Sequence, residues 1–306
     1  MNIHLAHTQG FCAGVASAIE VVNRALEKYG TPLYVRHHIV HNTAVIDDFK
    51  SKGVVFIETL SEVPEGARVI FSAHGVAPSI YEEAKKRQLI YVDATCPLVT
   101  KVHREATKFS AQGVQTILIG HRGHQELLGT SGYVTPELLH VVETDADIDA
   151  LTLDTERPIG YLTQTTLSVT DTAKLVAKLK EKYPQIMGPP RSDICFATQN
   201  RQDAVSQLAQ ICQVMIICGS PHSSNSNRLK ETAEAFGLKS YLIDSVSEYQ
   251  RDWLSGIQQV GISSGASVPN NLVQELVNRI KADYPDAQVH QEESVEKDIR
   301  FAVPKV

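Results

Sequence analysis

The sequence alternates short apolar runs with longer segments whose apolar residues recur at helical spacing. Between Gly10 and Gly30 the spacing is that of a helix with one buried face, at Val15, Ala18, Ile19, Val22, Ala25 and Leu26. The same order of strand and then helix continues to about residue 284, which is typical of parallel sheets covered by helices. We therefore predict an α/β fold.

Composition excludes two classes of protein. With 306 residues, of which 42% are hydrophobic, the chain can bury a large core. The net charge is −6 and the lysines and arginines are scattered, which argues against a nucleic-acid partner. No apolar run is long enough to span a membrane, and the amino terminus lacks a basic region followed by an apolar stretch. We predict a cytoplasmic protein with no membrane partner.

The chain divides into three units with the same functional order. We place lobes at 10–95, 96–193 and 194–285, between terminal segments at 1–9 and 286–306. In each lobe a cysteine is followed by two polar groups that come after strands: Cys12, His41 and His74; Cys96, His124 and Thr165; Cys195, Ser223 and Ser267. Parallel sheets bind ligands at the carboxyl ends of their strands. The pattern therefore predicts a pseudo-threefold arrangement of lobes around one centre, with the carboxyl-terminal segment folding back toward it.

Three of the five cysteines occupy equivalent positions, each between a strand-like run and a helix-like run. These are Cys12, Cys96 and Cys195, with helices predicted to begin at Ala13, Pro97 and Phe196. They lack the compact spacing of a structural zinc site or of a ferredoxin. A 4Fe-4S cluster held by three thiolates fits better and leaves one iron without a cysteine. A lone cysteine is more often a buried core residue, and we assign Cys212 and Cys218 to the core.

Histidines and hydroxyl-rich loops provide candidate anion-binding groups. His41, His74 and His124 follow strands and can donate hydrogen bonds, although solvated loop histidines are commoner than ligands. Ser223, Ser224 and Asn225 precede a helix predicted to begin near Arg228, and Ser267 precedes one near Asn270. Such loops bind phosphate through N–H groups and hydroxyls at the positive end of a helix. The alternative is simple helix capping.

Glu126 and Thr165 are the candidates for proton transfer. Glu126 is the carboxylate of the His124-Gln125-Glu126 loop, and burial beside an anionic cluster would raise its pKa and favour the protonated acid. A solvated loop carboxylate is the alternative interpretation. Thr165 could relay a proton through its hydroxyl, or it could simply cap a helix.

Several short motifs together resemble one enzyme family. They are Gly10-Phe11-Cys12-Ala13-Gly14, Ser72-Ala73-His74-Gly75-Val76, Asp93-Ala94-Thr95-Cys96-Pro97, Thr163-Gln164-Thr165-Thr166 and Asn200-Arg201-Gln202. In order and spacing, the chain from Met1 to about Pro304 resembles the 4-hydroxy-3-methylbut-2-enyl diphosphate reductases of the methylerythritol phosphate route to isoprenoids.

The resemblance implies a three-lobed α/β enzyme whose Cys12, Cys96 and Cys195 hold a 4Fe-4S cluster. It implies that the substrate hydroxyl meets the iron without a cysteine and that the diphosphate is bound by His41, His74, His124, Ser223, Ser224, Asn225 and Ser267. Glu126 matches the family's acid and Thr165 its neighbouring hydroxyl. The implied reaction reduces the allylic diphosphate to isopentenyl and dimethylallyl diphosphate, with electrons from reduced ferredoxin or flavodoxin.

Two other interpretations remain open at this point. The same three-cysteine cluster could serve a non-redox reaction in an enzyme similar to quinolinate synthase, which would bind a dicarboxylate. It could also belong to an iron-sulfur sensor without catalysis, which would require a partner surface. The sequence has no basic patch of the kind that a nucleic-acid-binding sensor needs.

Overall fold

Strands and helices alternate along the chain in the structure, a computed structural model that describes residues 1–296 and 298–306. The strands are β1 (Asn2–Leu5), β2 (Leu33–Arg36), β3 (Val54–Ile57), β4 (Arg68–Phe71), β5 (Ile90–Asp93), β6 (Gln115–Ile119), β7 (Leu139–Val142), β8 (Ile159–Thr163), β9 (Val214–Cys218), β10 (Lys239–Ile243), β11 (Gln259–Ser264) and β12 (Gln288–Gln291). The helices are α1 (Ala13–Tyr29), α2 (Thr43–Ser51), α3 (Pro78–Lys86), α4 (Pro97–Ala111), α5 (Gln125–Ser131), α6 (Asp145–Ala150), α7 (Val169–Lys182), α8 (Phe196–Ala209), α9 (Ser224–Ala235) and α10 (Asn270–Asp283).

The strands form three sheets, and every strand pairing within the described residues is parallel. The first sheet has the order β3-β2-β4-β5, the second β7-β6-β8 and the third β10-β9-β11-β1-β12. The central strands β6 and β9 are buried along their whole length, as expected for parallel strands covered on both faces. The predicted α/β class is confirmed.

The chain forms two compact units, which we describe separately. The third-sheet unit comprises Met1–Ala16, His41–Asp48 and Phe196–Arg300. The two-sheet unit comprises Ser17–Val40, Phe49–Cys195 and Phe301–Val306, and it contains the first and second sheets. Both terminal segments contribute a strand to the third sheet, since β1 pairs with β11 and β12 pairs with β1. The lobe boundaries at 95/96, 193/194 and 285/286 stay a prediction.

Amphipathic helices provide the apolar faces that cover the sheets. Along α10 the buried residues recur at helical spacing and pack on the third sheet at Leu272, Val273, Leu276, Val277 and Ile280. In the second sheet Ile117 and Ile159 pack with Leu179 of α7. Burial of such side chains contributes about 1.5–3 kcal/mol each to folding.

Helices begin directly after three cysteines. α1, α4 and α8 start at Ala13, Pro97 and Phe196, as predicted. Strands β1 and β5 precede the first two of these cysteines, but no strand of the described residues ends at Cys195. The strand-like run predicted before Cys195 is therefore wrong, and Ile194 packs instead into the apolar cluster of the second sheet.

The predicted start of α9 near Arg228 was wrong, because this helix begins at Ser224. Ser223 is its N-cap, and the Ser223 hydroxyl accepts a hydrogen bond from the Ser226 N–H. Ser224 and Asn225 therefore lie in the first helical turn.

Candidate active site

The five cysteines fall into two environments. Cys12, Cys96 and Cys195 are partly buried at helix starts, whereas Cys212 and Cys218 are buried in the third-sheet unit. Burial raises the pKa of Cys212 and of Cys218 to about 12, so both remain protonated thiols. Across residues 1–296 and 298–306 none of the five forms a disulfide. The three cysteines predicted to be ligands thus differ in burial from the two that we assigned to the core.

The three partly buried cysteines have the donor chemistry that an iron-sulfur cluster requires. Thiolate is the soft ligand that such clusters bind. Among the described residues no three His, Cys, Asp or Glu side chains are grouped around one point as ligands of a single metal ion. A 4Fe-4S cluster binds each cysteine to a different iron, so its ligands need no such grouping. The residues present fit the group.

In the third-sheet unit, backbone contacts join the Cys12 loop to the loop after β11. The Cys12 N–H donates to the Ala266 carbonyl at 3.0 Å, and the Gly10 N–H donates to the Ser264 hydroxyl at 2.9 Å. The next serine of that loop, Ser267, donates its hydroxyl to the His41 carbonyl at 2.8 Å. Hydrogen bonds therefore connect the loops of Cys12, Ser267 and His41, three residues that the sequence pattern predicts around one centre.

Asn225 carries a buried side-chain amide at the start of α9. Its side chain is 4% exposed, and neither amide atom has a hydrogen-bond partner among the described residues. Leaving such a group unsatisfied costs about 1–3 kcal/mol. Asn225 lies beside Gly265, where an added Cβ would be 3.7 Å from the Asn225 amide nitrogen. The N–H and C=O groups of this side-chain amide can therefore bind a polar ligand.

In the two-sheet unit, Glu126 and Thr165 form a buried pair. Glu126 lies in the first turn of α5, is 3% exposed and accepts two hydrogen bonds from Thr165. The Thr165 N–H donates to Glu126 Oε1 at 2.6 Å, and the Thr165 hydroxyl donates to Oε2 at 2.9 Å. The Thr165 carbonyl in turn accepts the Cys195 N–H at 3.0 Å. The solvated-loop interpretation of Glu126 is therefore wrong. Thr165 contacts both the Glu126 carboxylate and the Cys195 backbone and so links the two residues.

Burial dominates the electrostatics of Glu126. It raises the pKa of this carboxyl to about 7, against the opposing effect of the two bonds from Thr165, and the charge of Asp193 adds to the rise. Glu126 can therefore both hold and release a proton near neutral pH.

His124 and His74 are neighbours of this pair. The rings lie perpendicular to each other with centroids 6.0 Å apart. His124 Nδ1 accepts a hydrogen bond from the Glu126 N–H, so the neutral ring carries its proton on Nε2. Burial, with a smaller effect of His121, lowers the pKa of His124 to about 4. His124 is thus a neutral donor at pH 7 until an anion arrives.

Close backbone approach positions the His74 loop. Gly75 adopts φ +78°, and an added Cβ would lie 2.5 Å from His103 of α4. The Ala73 carbonyl accepts the Cys96 N–H at 3.0 Å. The glycine therefore lets the loop that carries His74 pack against α4, at whose start Cys96 lies.

Asp193 is a site residue that sequence reasoning missed. Its carboxylate is buried, accepts the Thr163 N–H at 3.1 Å and pairs with Lys101 Nζ at 3.2 Å. It lies two residues before Cys195 and affects the pKa of Glu126. The signal available in the sequence was its place in Ser192-Asp193-Ile194-Cys195.

Comparison with known proteins identifies the family. The family model described as LytB protein matches residues 3–281. The chain belongs to this family. It is 49% identical over 308 residues to the 4-hydroxy-3-methylbut-2-enyl diphosphate reductase of Alcanivorax borkumensis, covering 100% of this chain and 99% of the relative. It is 47% identical over 311 residues to the enzyme of the same name from a Psychrobacter species, covering 100% and 96%.

Solved structures show the same likeness to the LytB family. The chain superimposes on the E-1-hydroxy-2-methyl-but-2-enyl-4-diphosphate reductase from Plasmodium falciparum with a TM-score of 0.96 and 36% identity, covering 99% of this chain and 95% of the other. A second structure, of the terminal enzyme of the non-mevalonate pathway, matches with a TM-score of 0.65 and 31% identity, covering 92% and 100%.

These comparisons confirm the predicted family and, with it, an oxidoreductase of isoprenoid biosynthesis. Within the described residues no helix is both long and apolar enough to cross a membrane.

Proposed function

We propose that this LytB-family chain reduces (E)-4-hydroxy-3-methylbut-2-enyl diphosphate by means of a 4Fe-4S cluster held by Cys12, Cys96 and Cys195. The observation that carries the proposal is the buried Glu126–Thr165 pair, whose carboxyl titrates near neutrality and whose threonine carbonyl accepts the Cys195 N–H. When bound, the cluster would supply electrons and a Lewis-acidic iron for the allylic hydroxyl.

The reaction consumes two electrons and two protons. The allylic C–O bond breaks, a C–H bond forms at one end of the allyl fragment, and the hydroxyl leaves as water. Glu126 supports the first proton transfer, because a carboxyl with a pKa near 7 is protonated in a large fraction of molecules at neutral pH. The Thr165 hydroxyl, at 2.9 Å from Glu126 Oε2, can pass that proton on toward the leaving oxygen.

We assign the diphosphate to buried and loop side chains that can donate hydrogen bonds. The proposed ligands are His41, His74, His124, Ser223, Ser224, Asn225 and Ser267. The unpartnered Asn225 amide supports this assignment, since a phosphate oxygen would accept from its buried N–H group. His124 offers its Nε2 proton, and the anion would favour a second proton on the ring by opposing the desolvation that lowers its pKa. Ser267 would rotate its hydroxyl away from the His41 carbonyl.

Two further parts of the proposal have other grounds. A reduced ferredoxin or flavodoxin as the electron donor is implied by the family resemblance, and a cytoplasmic location is predicted from the sequence pattern. The donor is tested by supplying either protein, reduced, in place of a chemical reductant.

The function is tested with anaerobically reconstituted protein, dithionite and the allylic diphosphate. We expect isopentenyl and dimethylallyl diphosphate as products, detected by mass spectrometry, and none without dithionite. An intact cluster that gives no five-carbon product would contradict the reductase assignment. Water loss without consumption of reductant would instead favour a non-redox enzyme.

A further inference from the structure

Arg201 of α8 is a fully buried cation that bonds to the start of its own helix and to two other segments. Its side chain is 0% exposed. Nη1 donates to the Ala197 carbonyl at 2.8 Å and to both carboxylate oxygens of Glu296 at 3.2 and 3.1 Å, while Nη2 donates to the Gly10 carbonyl at 2.9 Å. All four residues belong to the third-sheet unit. One guanidinium therefore ties together the start of α8, the loop before α1 and the carboxyl-terminal segment.

Two of these attachment points adjoin candidate cluster ligands. Gly10 lies two residues before Cys12, and Ala197 lies two residues after Cys195. Gly10 lies where only glycine fits, because it adopts φ +74° and an added Cβ would lie 1.9 Å from the Asn270 side-chain oxygen. Arg201 thus holds the backbone on the approach to one cysteine and just beyond another.

Glu296 supplies the charge that makes a buried guanidinium tolerable. Removing one member of a buried ion pair leaves an uncompensated charge, which is far costlier than removing both. The Glu296 side chain is 9% exposed, although its neighbour Val295 is 62% exposed. Apolar packing of Val295 therefore does not account for the burial of Glu296, whereas its bonds to Arg201 and to the Asn200 amide at 3.0 Å do.

We propose that Arg201 and Glu296 are positioning residues, which orient Cys12 and Cys195 for cluster binding and make the carboxyl-terminal segment part of that framework. The inference rests on the proposed function for the identity of the ligand. The planar fork of arginine can bridge two carbonyls and a carboxylate, whereas lysine, a point donor, cannot hold the same geometry. Outer contacts of this kind commonly affect metal affinity by about 10–100-fold.

A purely fold-stabilising pair is the competing explanation, and a double variant separates the two. R201M/E296L removes both charges, so it should recover much of the thermal stability that E296Q loses. It cannot restore the hydrogen bonds to the Gly10 and Ala197 carbonyls. D283N, which removes the partly buried partner of the exposed Arg279 on α10, is the matched control for losing an ion pair.

The first measurement is thiol reactivity in the metal-free full-length protein, which does not depend on cluster loading. We expect E296Q and R201M/E296L to change the alkylation rates of Cys12 and Cys195 by at least about 3-fold, because weakening or losing a hydrogen bond to the neighbouring backbone changes the exposure of each thiol. Cys96 is the internal control and should react as in the unaltered protein. Unchanged rates at Cys12 and Cys195 would overturn the proposal even if the protein were to bind no iron.

The second measurement is iron retention against a chelator after anaerobic reconstitution. We expect about 10-fold faster iron loss from E296Q, R201K and the double variant, and no change in D283N. If R201M/E296L recovers both its melting temperature and its iron retention, the pair only stabilises the fold. If the unaltered protein takes up no iron, the proposed cluster fails, and the alkylation rates alone decide whether the pair positions the thiols.

Discussion

The two units differ in the kind of polar group that they bury. In the two-sheet unit burial acts on Glu126, a titratable group, and moves its pKa to about 7. In the third-sheet unit burial acts on Asn225, a neutral amide that has no hydrogen-bond partner in the part of the chain that the structure describes. Burying an acid creates a proton reservoir, whereas burying an amide creates affinity for a polar ligand. The comparison therefore separates the proposed proton transfer by Glu126 from the proposed anion binding by Asn225.

Replacing a candidate ligand cysteine should have the largest effect. We expect Cys96→Ser to lose nearly all reconstituted iron and all reductase activity, because the serine hydroxyl is a harder and far less acidic ligand than the thiol. Cys12→Ser and Cys195→Ser should behave alike. The check is iron content per chain, with Cys212→Ser as a control that keeps its iron because Cys212 is a protonated core thiol. Equal iron loss from Cys212→Ser would remove the distinction between the two classes of cysteine.

Glu126 should make stability depend on pH. Its pKa is raised from 4.5 to about 7 on folding, so the folded state binds the proton more tightly than the unfolded state. Below pH 4.5 the Glu126 carboxyl does not lower the free energy of unfolding. Its ionisation lowers that free energy progressively between pH 4.5 and 7, and the loss is constant above pH 7. The total is about 3 kcal/mol.

Urea unfolding of the metal-free protein at several pH values tests this dependence. We expect the difference in free energy of unfolding between Glu126→Gln and the unaltered protein to grow from pH 4.5 to pH 7. Glutamine preserves both contacts, because its oxygen can accept the Thr165 N–H and its amide can donate to the Thr165 hydroxyl. A pH-independent difference would show that the Glu126 pKa is not raised.

The burial of Glu126 could not be predicted from its neighbours in the sequence. Its environment depends on Thr165, which lies 39 residues further along the chain, and a local window records only a polar loop. Glu296 is a similar case, since its partner Arg201 lies 95 residues earlier. By contrast, the starts of α1, α4 and α10 follow local signals such as Gly10, Pro97 and Pro269, so they were predicted correctly.

The start of α9 shows a different limit of sequence reasoning. Five consecutive hydroxyl and amide residues, from Ser223 to Asn227, can all cap a helix, and local propensity does not choose among them. The observed choice of Ser223 buries Asn225 in the first turn. The residue types of the candidate site were therefore predictable, but their degree of burial was not.

Glu126→Gln should reduce turnover by at least about 10²-fold, the lower range for loss of a general acid. Thr165→Val should lose less, about 10-fold, because it removes the relay hydroxyl but keeps the N–H bond to Glu126. Thr172→Val, at a buried threonine of α7, is the matched control and should leave turnover unchanged. Cluster absorption measured in each variant separates lost catalysis from lost iron. Near-normal turnover of Glu126→Gln would exclude Glu126 as the acid.

Asn225→Leu should have the smallest effect on stability, and it should raise the free energy of unfolding instead of lowering it. Leucine has a similar shape and removes an unpaired buried amide, so the free energy of unfolding should rise by about 1 kcal/mol. Asn227→Leu provides the contrast, because the Asn227 amide donates to the Pro221 and Ser223 carbonyls and its loss should lower stability by about 1 kcal/mol. The same Asn225→Leu protein should bind inorganic diphosphate about 10-fold more weakly, measured by the ligand-induced rise in melting temperature. A substitution that raises the stability of the protein and weakens its diphosphate binding indicates a residue that serves the ligand. Equal diphosphate binding by the variant and the unaltered protein would instead assign Asn225 a role in the fold alone.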